Sequence, residues 1–163
     1  MSSLLIWIEQ SALGHFVRES GPWTYPIVNL AHILGIATLF GSVLVMDLTL
    51  LGVGRAQPWA RAVVARAAAP IARIGFVLAA ASGLGLLSSN GSEYVGNPFF
   101  MIKFPVIALG LLNAALIARS ASWRALVAGE TSRAGDRRLA GMAAMSLACW
   151  TGAIAAGRMI GYW

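Results

Sequence analysis

Four long apolar stretches constrain the fold of this chain more than any other feature of its sequence. They run over about residues 27–53, 71–88, 99–118 and 139–161. A helix needs roughly 20 apolar residues to cross the hydrocarbon core of a bilayer, and the stretches reach or nearly reach that length. The alternating pattern of β-barrel strands does not occur. The sequence therefore predicts an all-α integral membrane protein, a four-helix bundle that forms a single membrane domain over residues 1–163.

The composition excludes the main soluble classes. Hydrophobic residues make up 58% of the chain and charged residues only 11%, against about 25% charged in an ordinary soluble domain. A soluble domain of this size could not bury so much apolar surface. The single cysteine, Cys149, cannot form an internal disulfide. We therefore exclude a soluble enzyme, a disordered chain and a secreted disulfide scaffold.

The N-terminal segment, about residues 4–17, is too short and too polar to cross the membrane. Leu5, Ile8, Ala12 and Phe16 share one helical face. The segment also lacks the basic start and the small-residue cleavage site of a signal peptide. It is predicted to be a short helix that lies in the membrane interface.

Basic residues predict the orientation, because Lys and Arg mark cytoplasmic loops. Outside the spans the N-terminal side carries only Arg18. The loops after the first and third spans carry Arg55, Arg61, Arg66, Arg119, Arg124, Arg133, Arg137 and Arg138. We therefore expect a multi-pass protein of the bacterial inner membrane with both termini outside, in the periplasm. The net charge of +6 is then a topology signal, so the expected partner is the lipid bilayer and no nucleic acid is expected.

Stripes of small residues at four-residue spacing predict close helix packing. In the second span they are Gly75, Ala79 and Gly83, and in the fourth span Ala144, Ala148, Gly152 and Ala156. Such stripes suit either contacts within one chain or a homo-oligomer, and a membrane-complex partner stays open as well.

Two ionisable residues lie near the predicted inner ends of neighbouring spans. Asp47 is near the end of the first span and Arg73 near the start of the second. Charges inside a membrane protein usually pair with one another. The sequence therefore predicts a structural ion pair between Asp47 and Arg73, with a proton path as the functional alternative.

Three cationic or protonatable residues from three spans share a depth near the outer end. His32 lies roughly 9 Å along the helix from Pro26 at 1.5 Å per residue, and Lys103 and Arg158 lie at a similar depth. Lys103 is the only lysine of the chain. Both cations could instead reach the headgroups from a shallow position. His32 could be a structural histidine bonded to a carbonyl or to Asn29, or it could ligate haem or a metal.

Several motifs carry a family resemblance. WTYP at 23–26, NLAHILG at 29–35, DLTLLG at 47–52 and NPFFMIK at 97–103 resemble a bacterial family of uncharacterised small four-span inner-membrane proteins. A histidine in the first span with a lysine in the third is faintly similar to the HemJ-type protoporphyrinogen oxidases and the copper-resistance D membrane proteins. The first resemblance implies a four-span fold, and the second implies haem-linked redox work or copper handling.

The preferred hypothesis is a haem b-binding or quinone-linked module for electron transfer. His32 would be the axial ligand of the haem iron, and Lys103 and Arg158 would pair with its propionates, as cations do with carboxylates. Trp150 would pack against the macrocycle.

Two alternatives stay open beside the haem hypothesis. The first is a non-catalytic membrane anchor or partner subunit. The second is a transport or tolerance protein for copper or another small solute, because thioether sulfur suits Cu(I). The methionines considered for that role are Met46, Met101, Met142, Met145 and Met159.

Overall fold

Helices account for nearly all of the part of the chain that the structure describes. The computed structural model describes residues 2–55, 57–89, 91–130 and 132–163. The side chains of Arg55 and Arg133, two of the arginines that predict the orientation, lie outside the described part. The α-helices are α1 (Ser2–Glu9), α2 (Ala12–Glu19), α3 (Thr24–Leu50), α4 (Pro58–Ser89), α5 (Pro98–Arg119), α6 (Ala121–Ala128) and α7 (Arg133–Met159). Short 3-10 turns cover Val53–Arg55, Gly91–Tyr94 and Ile160–Tyr162.

The predicted fold class is confirmed. Four helices, α3, α4, α5 and α7, are long and apolar enough to cross a membrane. Large apolar side chains stand exposed on these helices, among them Ile33 (55% exposed), Ile74 (66%), Leu112 (56%) and Met145 (54%). Water-soluble monomers rarely expose apolar surface on this scale. The chain is therefore a multi-pass α-helical membrane protein whose outward surface is suited to lipid.

Two helix ends differ from the predicted span boundaries, one set by a proline that begins a helix and one set by a glycine that follows its end. The second helix begins at Pro58 rather than after Pro70, and Pro70 lies inside α4. A proline fits the first helical turn, where no amide partner is needed, and interior prolines are tolerated in membrane helices. The first span ends at Leu50 because Gly52 takes a left-handed conformation with φ of 85°.

The N-terminal segment forms two short helices instead of the single helix predicted for residues 4–17. Ser11 separates them, since its side-chain oxygen accepts a hydrogen bond from the Gly14 amide at 3.3 Å and caps α2. The same hydroxyl donates to the Ile8 carbonyl at 2.6 Å. One serine thus serves both the end of α1 and the start of α2, a local role that the apolar face alone did not indicate.

The chain divides into two compact units, residues 1–39 with 73–98 and residues 40–72 with 99–163. In the first unit α3 and α4 pack antiparallel. Val28 packs on Gly85, and further along α3 the backbone of Leu39 lies against Gly75. A methyl group at Gly35 would stand 2.5 Å from the backbone nitrogen of Ala79. These contacts confirm the small-residue stripe predicted for the second span.

Arg18 joins three chain segments at the other end of the first unit. Its guanidinium donates to the Ser88 carbonyl at 3.0 Å and to the Glu9 carbonyl at 2.8 Å. Both carbonyls lie at helix ends, where the helix supplies no donor. The Ser92 amide donates to the Glu9 carboxylate at 2.7 Å, and this bond, aided by Arg18, lowers the pKa of Glu9. The N-terminal helices are therefore tied to the end of α4.

The second unit is built on a buried apolar cluster of Leu50, Ala65, Ile117, Leu126, Leu139 and Ala143. Met46 and Met142, two of the methionines considered as copper ligands, pack against this cluster. Asn113 of α5 donates to the Met142 carbonyl of α7 at 2.9 Å, as expected for an amide between membrane helices.

The stripe predicted for the fourth span is only partly correct. Ala156 is buried and Gly152 packs on Val106, but Ala144 and Ala148 are exposed. The buried face of α7 instead follows Leu139, Ala143, Ser146, Trp150 and Ala153. Steps of three and four residues keep these positions on one face of the helix, whereas a strict four-residue step drifts around it.

We predict that Gly35→Ala destabilises the first unit. The added methyl group collides with the Ala79 backbone, and such overpacking costs about 1–3 kcal/mol. Gly41→Ala is the matched control, because it is the same change on the same helix with nothing within 4 Å. Thermal unfolding in detergent, followed by circular dichroism, should show a lower Tm for Gly35→Ala only. Equal Tm values would contradict the close contact.

Candidate functional site

His32 bonds from α3 to the backbone of α4 within the first unit. Its Nδ1 lies 2.8 Å from the Ala79 carbonyl oxygen and 3.3 Å from the Ser82 hydroxyl. Because a carbonyl oxygen only accepts hydrogen bonds, Nδ1 must carry the hydrogen and donate it. In the neutral imidazole the basic nitrogen is then Nε2. The structure thus confirms that His32 bonds to a carbonyl, and it fixes the tautomer of the ring.

Small residues of α4 make room for the imidazole. A methyl group at Gly83 would stand 3.0 Å from Cε1 of His32, so a larger residue there would push the ring away. Ser82 is buried and its hydroxyl also bonds to carbonyls of the preceding turn of α4. The sequence placed Gly83 on the packing stripe but gave no sign of Ser82, whose role depends on the register between the two helices.

Lys103 of α5 packs against the turn of α7 that carries Arg158, within the second unit. The half-buried Lys103 amine packs on Gly157, where a methyl group would stand 3.4 Å from Nζ. Arg158 follows directly and stacks on Tyr162, with its guanidinium carbon 4.6 Å from the ring centroid. Within the described part of the unit, no carboxylate forms an ion pair with Lys103. The predicted role of both cations, to pair with the carboxylates of a cofactor, stays a prediction.

The role of Trp150 in packing a macrocycle, and a common site for His32 and the two cations, both stay predictions. Trp150 is buried at 7% exposure, and its indole would contact a methyl group at Gly110 at 3.4 Å. That contact joins α5 to α7 and leaves its role toward a macrocycle to be tested. His32 belongs to the first unit and the two cations to the second, so their predicted common site also stays a prediction.

Two other polar side chains of the first unit, His15 and Glu9, have hydrogen-bond partners other than His32. His15, the second histidine, bonds through Nδ1 to the Glu19 carboxylate at 3.0 Å, and this bond lowers the pKa of Glu19. Glu9 accepts from the Ser92 amide. Neither interaction involves His32, which leaves it as the histidine of the candidate site.

Asp47 is the most deeply buried ionisable residue in the described part of the second unit. Its side chain has 0% exposure. The Ser146 hydroxyl of α7 interacts with the carboxyl group, yet within this unit neither carboxylate oxygen has a partner at hydrogen-bonding geometry. A buried charge without a partner is costly. Asp47 therefore needs a proton or a counter-ion. The predicted pair with Arg73, which is exposed and belongs to the first unit, stays a prediction.

A double-mutant cycle tests the predicted pair of Asp47 and Arg73. Removing one member of an ion pair at membrane depth leaves the other charge uncompensated, which is costly. Asp47→Ala should therefore lower the yield of folded, detergent-extracted protein more than Asp47→Ala combined with Arg73→Ala. Additive losses, or an Asp47→Asn variant that folds like the parent, would show that the carboxyl group is neutral and unpaired.

The fold and the site define a small multi-pass membrane protein with a histidine held between two of its spans. The chain belongs to a family of unknown function, DUF6644, whose sequence pattern matches residues 3–163. This match confirms the resemblance to an uncharacterised family over nearly the whole chain. No curated protein and no solved structure matches the chain.

Proposed function

We propose that the protein is a haem b-binding module of the bacterial inner membrane, for electron transfer or quinone-linked redox chemistry, with His32 as the axial ligand. One observation carries the proposal. Because Nδ1 of His32 donates its hydrogen to the Ala79 carbonyl, the lone pair that could ligate a metal is on Nε2. Histidines that ligate metals usually donate their other ring N–H to a carbonyl or carboxylate in this way.

Residues of the second unit supply what the edge of a haem requires. Its propionates need cations, and the Lys103 amine is half-buried with no ion pair in the described part of that unit. Arg158, on the turn against which Lys103 packs, offers a second cation and pairs well with carboxylates. Bound haem would contribute a one-electron couple, and the protein would contribute the axial ligand and the compensating charges.

Absorption spectroscopy of the purified protein tests this proposal. Protein from haem-replete cells should give a Soret band and, on reduction, a b-type spectrum. His32→Ala should abolish the spectrum because the iron ligand is lost, and Lys103→Ala should weaken haem retention without removing the ligand. His15→Ala is the matched control, since its imidazole bonds to Glu19, and it should leave the spectrum unchanged.

The same hydrogen bond supports a second candidate function. A histidine that bonds to Ala79 across α3 and α4 can serve packing alone, as in a non-catalytic membrane anchor or partner subunit. Protein that shows no Soret band, with a lower Tm for His32→Ala, would favour this anchor function over haem binding.

We also propose that both termini are periplasmic. Arginines mark the cytoplasmic ends of membrane helices. In this chain they cluster near the start of α4, near the end of α5, on α6 and near the start of α7, that is, at the ends of the spans away from the N-terminus. Those in the described part are Arg61, Arg66, Arg119, Arg124, Arg137 and Arg138. All of them belong to the second unit.

Cysteine labelling tests the orientation. In a Cys149→Ala background, a membrane-impermeant thiol reagent added from the periplasm should modify Ser92→Cys but not Ser132→Cys. Both positions are exposed in the structure, so a difference in labelling reports the side of the membrane. Labelling of Ser132→Cys alone would reverse the proposed orientation.

A further inference from the structure

A cavity in the second unit lies where α3 ends and where α4 and α7 begin. Its volume is about 280 Å³. Leu50, Leu51 and Ala140 line its apolar side. Arg61, Asp136 and Arg137 line its polar side. We call it the arginine cavity, and its mixed lining suits a ligand with one charged and one apolar part.

Arg61 lines this cavity with a guanidinium that is only partly engaged by the protein. Its side chain is only 12% exposed, and its Nη1 lies 3.0 Å from the Asp136 carboxylate. Its Nε is buried and has no hydrogen-bond partner within the described part of the chain. A buried donor without an acceptor is destabilising, and such groups call for a specific explanation. Within the described residues Asp136 is the one partner of the guanidinium, so an acceptor in the cavity would add hydrogen bonds to its Nη groups.

The charges of the cavity favour an anion. Two arginines face one aspartate, which leaves one net positive charge in the lining. Arg61 lies in the first turn of α4 and Asp136 in the first turn of α7, with Arg137 as the next residue. The amino ends of both helices add positive potential there. Guanidinium groups match the geometry of phosphate oxygens particularly well.

The apolar side of the cavity favours a lipid phosphate over a free phosphate ion as the ligand. Leu51 is 40% exposed and Leu50 is buried, so apolar surface begins directly beside the arginines. A headgroup phosphate carries glycerol and acyl chains that would cover this surface, whereas a free phosphate would leave it in water. Basic pockets between membrane helices are a known setting for anionic headgroups.

We propose that the arginine cavity binds the phosphate of an anionic phospholipid, with Arg61 and Arg137 as its phosphate-binding residues. This site is independent of the proposed haem function, because it uses none of the residues assigned to haem.

Native mass spectrometry of the full chain in detergent tests the proposal. Titration with phosphatidylglycerol should give tighter binding than titration with phosphatidylcholine, whose headgroup has no net charge. Arg137→Gln should weaken phosphatidylglycerol binding about tenfold, since a hydrogen bond to a charged group contributes on that order. Arg138→Gln is the matched control, because this neighbouring arginine is exposed and does not line the cavity. Equal losses for both variants, or no preference for phosphatidylglycerol, would overturn the proposal.

A second variant tests Arg61 without leaving Asp136 unpaired. Arg61→Gln combined with Asp136→Asn removes both charges, and circular dichroism reports whether the variant is folded. The folded variant should lose the preference for phosphatidylglycerol, and a retained preference would exclude Arg61 from the site. Inorganic phosphate, added as a competitor, separates the two sources of the phosphate group. Binding of inorganic phosphate as tight as that of phosphatidylglycerol would show that the site takes the free ion rather than a lipid.

Discussion

The close backbone contact between α3 and α4 is the interaction on which the candidate site depends. Lipid is as apolar as the side chains that face it, so helices in a membrane associate through close packing and interhelical hydrogen bonds. Gly35 and Gly75 remove the side chains that would hold the two backbones apart. Only at this short separation can His32 reach the Ala79 carbonyl. Packing and site chemistry are therefore parts of one contact in the first unit.

The need to satisfy polar groups explains several other contacts. A membrane offers few partners for backbone carbonyls outside a regular helix. Arg18 meets this need by donating to carbonyls at the ends of α1 and α4, and Asn113 meets it by donating to α7. Asp47 and the Nε of Arg61 are the exceptions in the described part. Each is therefore a place to look for a proton, a counter-ion or a ligand.

Much of the candidate site was visible in the sequence because polar residues are conspicuous in apolar stretches. His32, Lys103 and Asp47 stood out for that reason, and the stripe of Gly75, Ala79 and Gly83 identified the packing face of α4. The sequence did not reveal the partners of these residues. Ser82 and Gly157 became neighbours of His32 and Lys103 through the register of helix pairs, which no local pattern encodes.

The sequence by itself determined the class of protein, the four spans and the residues that carry unusual chemistry, because the thickness of a bilayer requires long apolar helices. Local signals also fixed some ends, such as Gly52 after α3. Tertiary structure alone decided that α4 continues through Pro70, that Ser146 and Trp150 rather than Ala144 and Ala148 lie on the buried face of α7, and that Arg61 meets Asp136. These features depend on the rotation and register of neighbouring helices, which are set by contacts between residues far apart in the chain.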